Sequence, residues 1–149
     1  MKISNNYLPK TMSRKDIKIQ RKNILRTRKS YKKGVFVNRK TVKSFKSKQS
    51  PHIQNAMKLY NVTSVKPSRE LSRKTKCSLK GLKKIVNKGA GAYYASGSRP
   101  NQTPLSWGYA RLASSITGNK ASVVDNHILR EECKSNSLAL KLSNKAKTI

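Results

Sequence analysis

Acidic residues are scarce in this chain: five Asp and Glu stand against 35 Lys and Arg in 149 residues, a formal net charge of +30. Those five carboxylates, with His52 and His127, are the whole ordinary acid–base inventory. No His/Cys/Asp cluster, phosphate-binding glycine loop or Gly-x-Ser-x-Gly elbow accompanies them, so the common hydrolytic and nucleotide-dependent enzyme classes find no footing. Cysteine is limited to Cys77 and Cys133, without Cys-x-x-Cys or Cys/His spacing, which excludes a zinc finger or knuckle. The expectation is two buried or idle thiols in a reducing compartment, with a disulfide left open. No metal or cofactor is expected. Two Phe and one Trp, within 35% apolar residues, leave material for only a small core. No apolar run approaches the roughly 20 residues that a membrane-spanning helix needs. The opening MKISNNYLPK holds no signal-like apolar stretch, so a soluble chain outside the usual secretory route is expected.

The cations are unevenly spread. Met1 to Lys88 carries 27 Lys and Arg against Asp16 and Glu70, whereas the rest carries eight against Asp125, Glu131 and Glu132. Charge that one-sided repels itself and calls for a polyanion to neutralise it. Residues 1–49 therefore read as a long basic, largely irregular arm, too poor in apolar residues to offset the entropy of ordering it. Its cations come singly and in pairs: Arg14, Lys15, Arg21, Lys22, Arg26, Arg28, Lys29, Lys32, Lys33, Arg39 and Lys40. The seven-residue spacings Ile17 to Ile24 and Arg21 to Arg28 fit one or two helical turns laid along a partner. Gly34 to Val37 reads as a short extended piece.

Regular structure is expected from residue 50, in a mainly α, small helical domain of about four short helices over 50–133, with a polar tail at 134–149. Ser50-Pro51 joins an N-cap residue to a proline suited to the first helical position, and Ile53, Ala56, Met57 and Tyr60 share a face. Pro51 to Tyr60 is the first predicted helix, and a turn follows at Arg69 to Lys74. Ser78 caps a second, Leu79 to Asn87, closed by Gly89 as a C-cap, with Lys80, Lys83, Lys84 and Lys88 on its other side. Gly89 to Thr103 reads as a structured Gly/Ser/Pro loop. Thr103-Pro104 starts a third helix to Thr117, with Leu105, Tyr109, Leu112 and Ile116 as its stripe. Val123 to about Glu131 reads as a fourth, and the alternating Leu138, Leu140 and Leu142 leave strand and frayed end both open.

Two kinds of chemistry suggest themselves. Flexible cations in this density suit phosphate binding, each neutralising one phosphate and releasing its counterions, with little base specificity. Arg14 to Lys40 in the arm, with Lys83 and Lys84, are the candidates. Tyr93, Tyr94, Arg99, Asn101, Gln102 and Trp107 cluster within fifteen positions, and with Arg111 they could stack on bases or bind their edges. The competing reading makes Tyr93, Tyr94 and Trp107 a small core beneath a loop, leaving Arg99 and Arg111 for specific contacts. The turn Gly118-Asn119-Lys120 has the outline of a helix-turn-helix, but Val123, Val124, Asp125 and Ile128 supply few donors, so a plain helical hairpin is expected. A tyrosine nucleophile at Tyr93 or Tyr94 would need a basic cleft.

The run Lys88 to Leu129 resembles a small domain of unknown function found in proteins of large DNA viruses of protists and of some tailed phages. The shared features are Tyr-Tyr-x-Ser-Gly-Ser-Arg-Pro-Asn-Gln-Thr, Ser-Trp-Gly-x-Ala-Arg-Leu-Ala-Ser and Thr-Gly-x-Lys-Ala, with Asn119 where the pattern has a second glycine. The resemblance implies a virus protein and supplies no catalytic residues. Together with the charge it leads to the expectation of a non-enzymatic virion component, of minor capsid or cement type. Its arm would bind acidic capsid proteins or packaged DNA on the interior side of the capsid. A genome-condensing protein and a ribosomal-type RNA-binding protein are the alternatives.

Overall fold

A computed structural model describes residues 2–148. Its described elements are a 3-10 turn at Asn5–Tyr7 and eight helices: α1 (Arg14–Lys32), α2 (Pro51–Tyr60), α3 (Arg69–Thr75), α4 (Leu79–Ala95), α5 (Pro104–Ile116), α6 (Lys120–Val124), α7 (Asn126–Glu132) and α8 (Leu138–Thr148). The chain divides into two compact units. Unit 1 comprises 1–48 and 90–107, and unit 2 comprises 49–89 and 108–149. The division expected from sequence runs 1–49, 50–133 and 134–149.

Unit 2 is organised by apolar burial. Leu71, Leu82, Ile85, Leu112, Ile116 and Leu129 are almost fully buried at the centre of its core, and Tyr60 lies among them with its hydroxyl donating to the Ile116 carbonyl. The Ser50, Ser68 and Ser78 hydroxyls cap α2, α3 and α4, each accepting from a backbone N–H of the first turn. Cys77 and Cys133 are paired, closing a separation of 56 residues, so the expectation of idle thiols is corrected. They sit opposite each other in an isolated antiparallel bridge, flanked by Ser78 N–H to Glu132 carbonyl at 2.7 Å and Lys134 N–H to Lys76 carbonyl at 2.8 Å. Such a non-hydrogen-bonded pair brings its side chains close. The 134–149 tail, expected as strand or frayed end, is α8. It packs on α6 and α7 and buries Ala139, Leu140 and Ser143.

Gly89 does not end the second predicted helix. A Cβ there would lie 2.6 Å from the Gly108 Cα, and one at Gly108 would lie 2.9 Å from the Val86 Cγ1. Two bare backbones therefore cross in contact, and α4 runs on to Ala95. The glycine that sequence reasoning assigned to a helix end serves a close approach instead. The predicted loop shrinks to 96–103. The helix expected over 123–131 is broken at Asp125 into α6 and α7.

Unit 1 replaces the expected irregular arm with a 19-residue helix, α1. The physical reason is that its inner face finds a partner within the same unit. Gln20, Ile24 and Thr27 are buried, as are Tyr93, Gly97 and Ser98, and the Gln20 amide donates to the Ser98 carbonyl. Ser13 caps the start by accepting from Asp16 N–H at 3.1 Å. The end is a Schellman turn: Gly34 N–H donates to Tyr31 and Val35 N–H to Ser30, both at 2.9 Å, with Gly34 at φ 78°. Residues 35–48 follow without regular structure, pinned by side chains.

Candidate nucleic-acid interface

At 100° per residue, the exposed cations Arg14, Lys15, Lys18, Arg21, Lys22, Arg26, Lys29 and Lys32 of α1 fall within about 140° of the helix circumference. The buried Gln20, Ile24 and Thr27 point the other way. The acid of α1, Asp16, also lies off this face and accepts from Ser44 N–H at 2.9 Å. The Ser44 hydroxyl, and then that backbone bond, hold its pKa below the ordinary aspartate value. Eighteen residue steps span about 27 Å, so the face sets eight cations along that length, in uneven steps of about 1.5 to 6 Å. Unit 1 as a whole carries 18 Lys and Arg against Asp16 alone. The one cation of this face absent from the sequence reading is Lys18, which helical periodicity would have supplied.

Two candidates do not belong to that face. The Arg28 Nε donates to the Ser96 carbonyl at 2.7 Å and its Nη1 to the Lys2 carbonyl at 3.3 Å. Arg39 lies with its guanidinium carbon 3.7 Å from the Tyr93 ring centroid, donating to the Tyr93 carbonyl at 2.9 Å and the Ser98 Oγ at 2.7 Å. Burial lowers its pKa from the usual arginine value. Both arginines are spent on holding unit 1 together. Lys33 and Lys40 are exposed, as is Lys83 in unit 2, whereas Lys84 pairs with Glu132 at 3.4 Å.

The motif loop is equally occupied by internal work. Tyr93 is fully buried, and its hydroxyl accepts from Arg39 N–H at 2.8 Å. Tyr94 donates to the Asn38 Oδ1 at 3.1 Å, and burial, then Tyr93, raises its pKa. Asn101, at φ 63°, works as a strand substitute: its Oδ1 accepts from Val42 N–H at 2.7 Å, and its Nδ2 donates to the Val42 and Phe45 carbonyls. Gln102 accepts from Ser106 Oγ at 2.7 Å, beside a reciprocal Thr103–Ser106 cap. Trp107 meets the Tyr7 ring edge-on at 5.8 Å. Arg99 is the exposed cation of this loop.

In unit 2, Arg111 makes a two-pronged contact with the fully buried Asp125, at 3.0 and 2.8 Å, joined by Ser115 Oγ at 2.8 Å and Lys88 Nζ at 3.3 Å. Burial pushes the Asp125 pKa up, but the bonds from Arg111, Ser115 and Lys88 outweigh it and leave it below the ordinary value. Arg111 is thus a structural partner of Asp125. His127, exposed, is not part of this cluster. Among the described residues no group of three or more His, Cys, Asp and Glu side chains could hold a metal ion, and no helix is long and apolar enough to cross a membrane.

The fold and this surface define a small, mainly α, strongly cationic protein. The chain belongs to DUF5824, a family of unknown function whose model matches residues 6–133. That span takes in α1 as well as the motif loop, so the basic helix lies within the family's domain. No curated protein and no solved structure is detectably similar.

Proposed function

We propose that this is a non-enzymatic nucleic-acid-binding protein that neutralises phosphates along the outer face of α1. The observation that carries this reading is that face: eight exposed cations on one side of a helix whose inner side is fixed by packing. A preformed cationic face loses less entropy on binding than a disordered arm would. The resemblance of 88–129 to virus proteins supports a virion setting, with packaged DNA as the partner and the interior of the capsid as the location. The cement-like role depends on an arm reaching over capsid proteins, and a helix of about 1.5 Å per residue reaches less than half as far as extended chain. That difference favours the genome over the capsid lining. The non-enzymatic reading rests on Tyr93 being buried and on Tyr94 having a raised, not lowered, pKa.

The test is DNA binding by the full chain across a salt series. The expected result is a steep fall of log K with log salt, with the slope reduced by about 3.6 on duplex DNA, or about 2.8 on single strands, when Lys18, Arg21, Lys22 and Lys29 are all changed to Gln. A binding constant indifferent to salt would sink the proposal. Cross-linking on intact virions separates the settings: lysines of α1 that react only after nuclease treatment support the genome, whereas nuclease-insensitive links to capsid proteins return the cement role. Fractionation with ribosomal particles would instead support the RNA-binding alternative.

A further inference from the structure

The C-terminal end of α1 carries a feature that phosphate neutralisation does not use. The Schellman turn at Gly34 folds the chain back so that Phe36 meets two tyrosines. Its ring centroid lies 5.7 Å from Tyr31 and 5.2 Å from Tyr94. Tyr31 and Tyr94 are nearly parallel, 10° apart at 5.8 Å. The cluster is braced from beneath: Tyr94 packs edge-on to the buried Tyr93 at 5.2 Å, and Arg39 lies over the Tyr93 ring. Asn38 holds the Tyr94 hydroxyl. Above that support Phe36 remains 66% exposed, and its neighbour Val35 53% exposed. A chain with two Phe and one Trp has thus left a Phe outside, rigidly backed.

The surroundings say what would cover it. Lys29, Lys32, Lys33 and Lys40 are exposed nearby in the sequence, and the acid of unit 1, Asp16, sits in the first turn at the opposite end of α1. An apolar peptide or lipid tail gains nothing from a unit that carries 18 Lys and Arg against one acid. A polyanion with flat apolar faces gains from both. We infer that the Tyr31–Phe36–Tyr94 cluster is a base-stacking platform, and that a strand bound along the outer face of α1 continues around its C-terminal end to present unpaired bases to the exposed Phe36, Tyr31 lying on the inner side of the helix. Duplex DNA keeps its bases stacked inside and has nothing to offer Phe36, so single strands are the preferred substrate class. This inference rests on the α1 reading above and adds the strand type.

The experiment compares Phe36→Ala, Phe36→Leu and Phe36→Trp in the full chain against oligo(dT) and a duplex of equal length at fixed salt. Phe36→Ala and Phe36→Leu are expected to weaken oligo(dT) binding roughly 5- to 150-fold, because each stacked base is worth that factor, and to leave duplex binding within about twofold. Phe36→Trp should restore the single-strand affinity. Leucine keeps the apolar bulk and removes the π face, so it separates stacking from packing. Loss on neither substrate, or equal loss on both, overturns the platform and leaves phosphate binding by α1 standing. Wild-type protein that binds neither strand type at low salt overturns both readings.

Discussion

The two units solve the problem of a large positive charge in opposite ways. Unit 2 has a continuous apolar core, a covalent Cys77–Cys133 link, and acids that meet its cations: Glu132 faces Lys84, and Asp125 is held by Arg111 and Lys88. Unit 1 has few large apolar side chains and is held by polar and cationic anchors. Arg28 and Arg39 bind carbonyl oxygens, and Asn101 bonds twice to the backbone of Val42 and once to that of Phe45. Eight of its other cations are gathered on one exposed helix face. The lesson is that charge is tolerated where it is either paired or collected for an external partner. Unit 2 pairs part of its charge, and unit 1 collects part of its own.

The largest effect expected from breaking this contrast is at the disulfide. Cys77→Ser reopens a separation of 56 residues, and loop-closure entropy assigns that a loss of roughly 4 kcal/mol. Thermal unfolding should show a lower midpoint, with reductant lowering the wild type to the same value and leaving the variant unmoved. A reductant-insensitive wild type would show that unit 2 stands on apolar burial alone.

Asp125→Asn comes next. It leaves Arg111 and Lys88 facing a neutral group and should cost about 3 kcal/mol, the lower end for breaking a buried pair, because both cations are partly exposed. The carboxylate's folded pKa is depressed, so its contribution is fully present above the unfolded value and disappears as pH falls through the folded one. Urea midpoints over an acid series should therefore decline for the wild type and more gently for the variant. Identical slopes would remove Asp125 from the account of unit 2.

Much of unit 2 was legible beforehand because its signals are local. Ser50-Pro51 is a cap-plus-proline start, and α2 begins there; Thr103-Pro104, in unit 1, starts α5 in the same way. What misled was glycine, whose sequence signature is the same at a helix end and at a helix crossing: Gly89 marks the second, and only its contact with Gly108 reveals that. The Leu138–Leu140–Leu142 alternation left strand and frayed end both open, but Ala139 and Ser143 are the small residues that let α8 pack on α6 and α7. Unit 1 was less legible, since its order depends on bonds across more than 50 residues, such as Asn101 to Val42. Charge and low hydrophobicity pointed to an irregular arm, and missed that one buried Ile24 with Gln20 and Thr27 suffices when the partner segment is polar too. The cationic candidates were legible as composition; which of them share a face was not, because Arg28 differs from Arg26 and Lys29 only in its place on the helix.

Asn101→Ala tests the polar anchoring of unit 1. Three bonds to Val42 and Phe45 disappear, and alanine must hold φ 63°, so a loss of about 2 kcal/mol is expected. Asn101→Gly separates the causes, because glycine relieves the backbone term and leaves only the missing bonds. Amide exchange at Val42 should accelerate in both variants. Unchanged protection there would mean that residues 42–45 are held by something other than Asn101.

The smallest effect is expected at Gly34, and it bears on the most exposed part of the comparison. A Cβ at this position would meet nothing within 4 Å, so Gly34→Ala carries no steric cost, and its φ of 78° isolates the backbone term. That term is about 1 kcal/mol for a left-handed alanine. Gly34→Asn should lose less, since asparagine visits this region more readily. Urea unfolding measures the loss. Since the turn returns Phe36 onto Tyr31, the alanine variant should also lose part of any preference for single strands while phosphate binding by α1 is kept. A Gly34→Ala protein with full stability would mean that the Schellman turn is not what ends α1. The aromatic cluster would then have to be positioned by Asn38 and Arg39, from the polar side of unit 1.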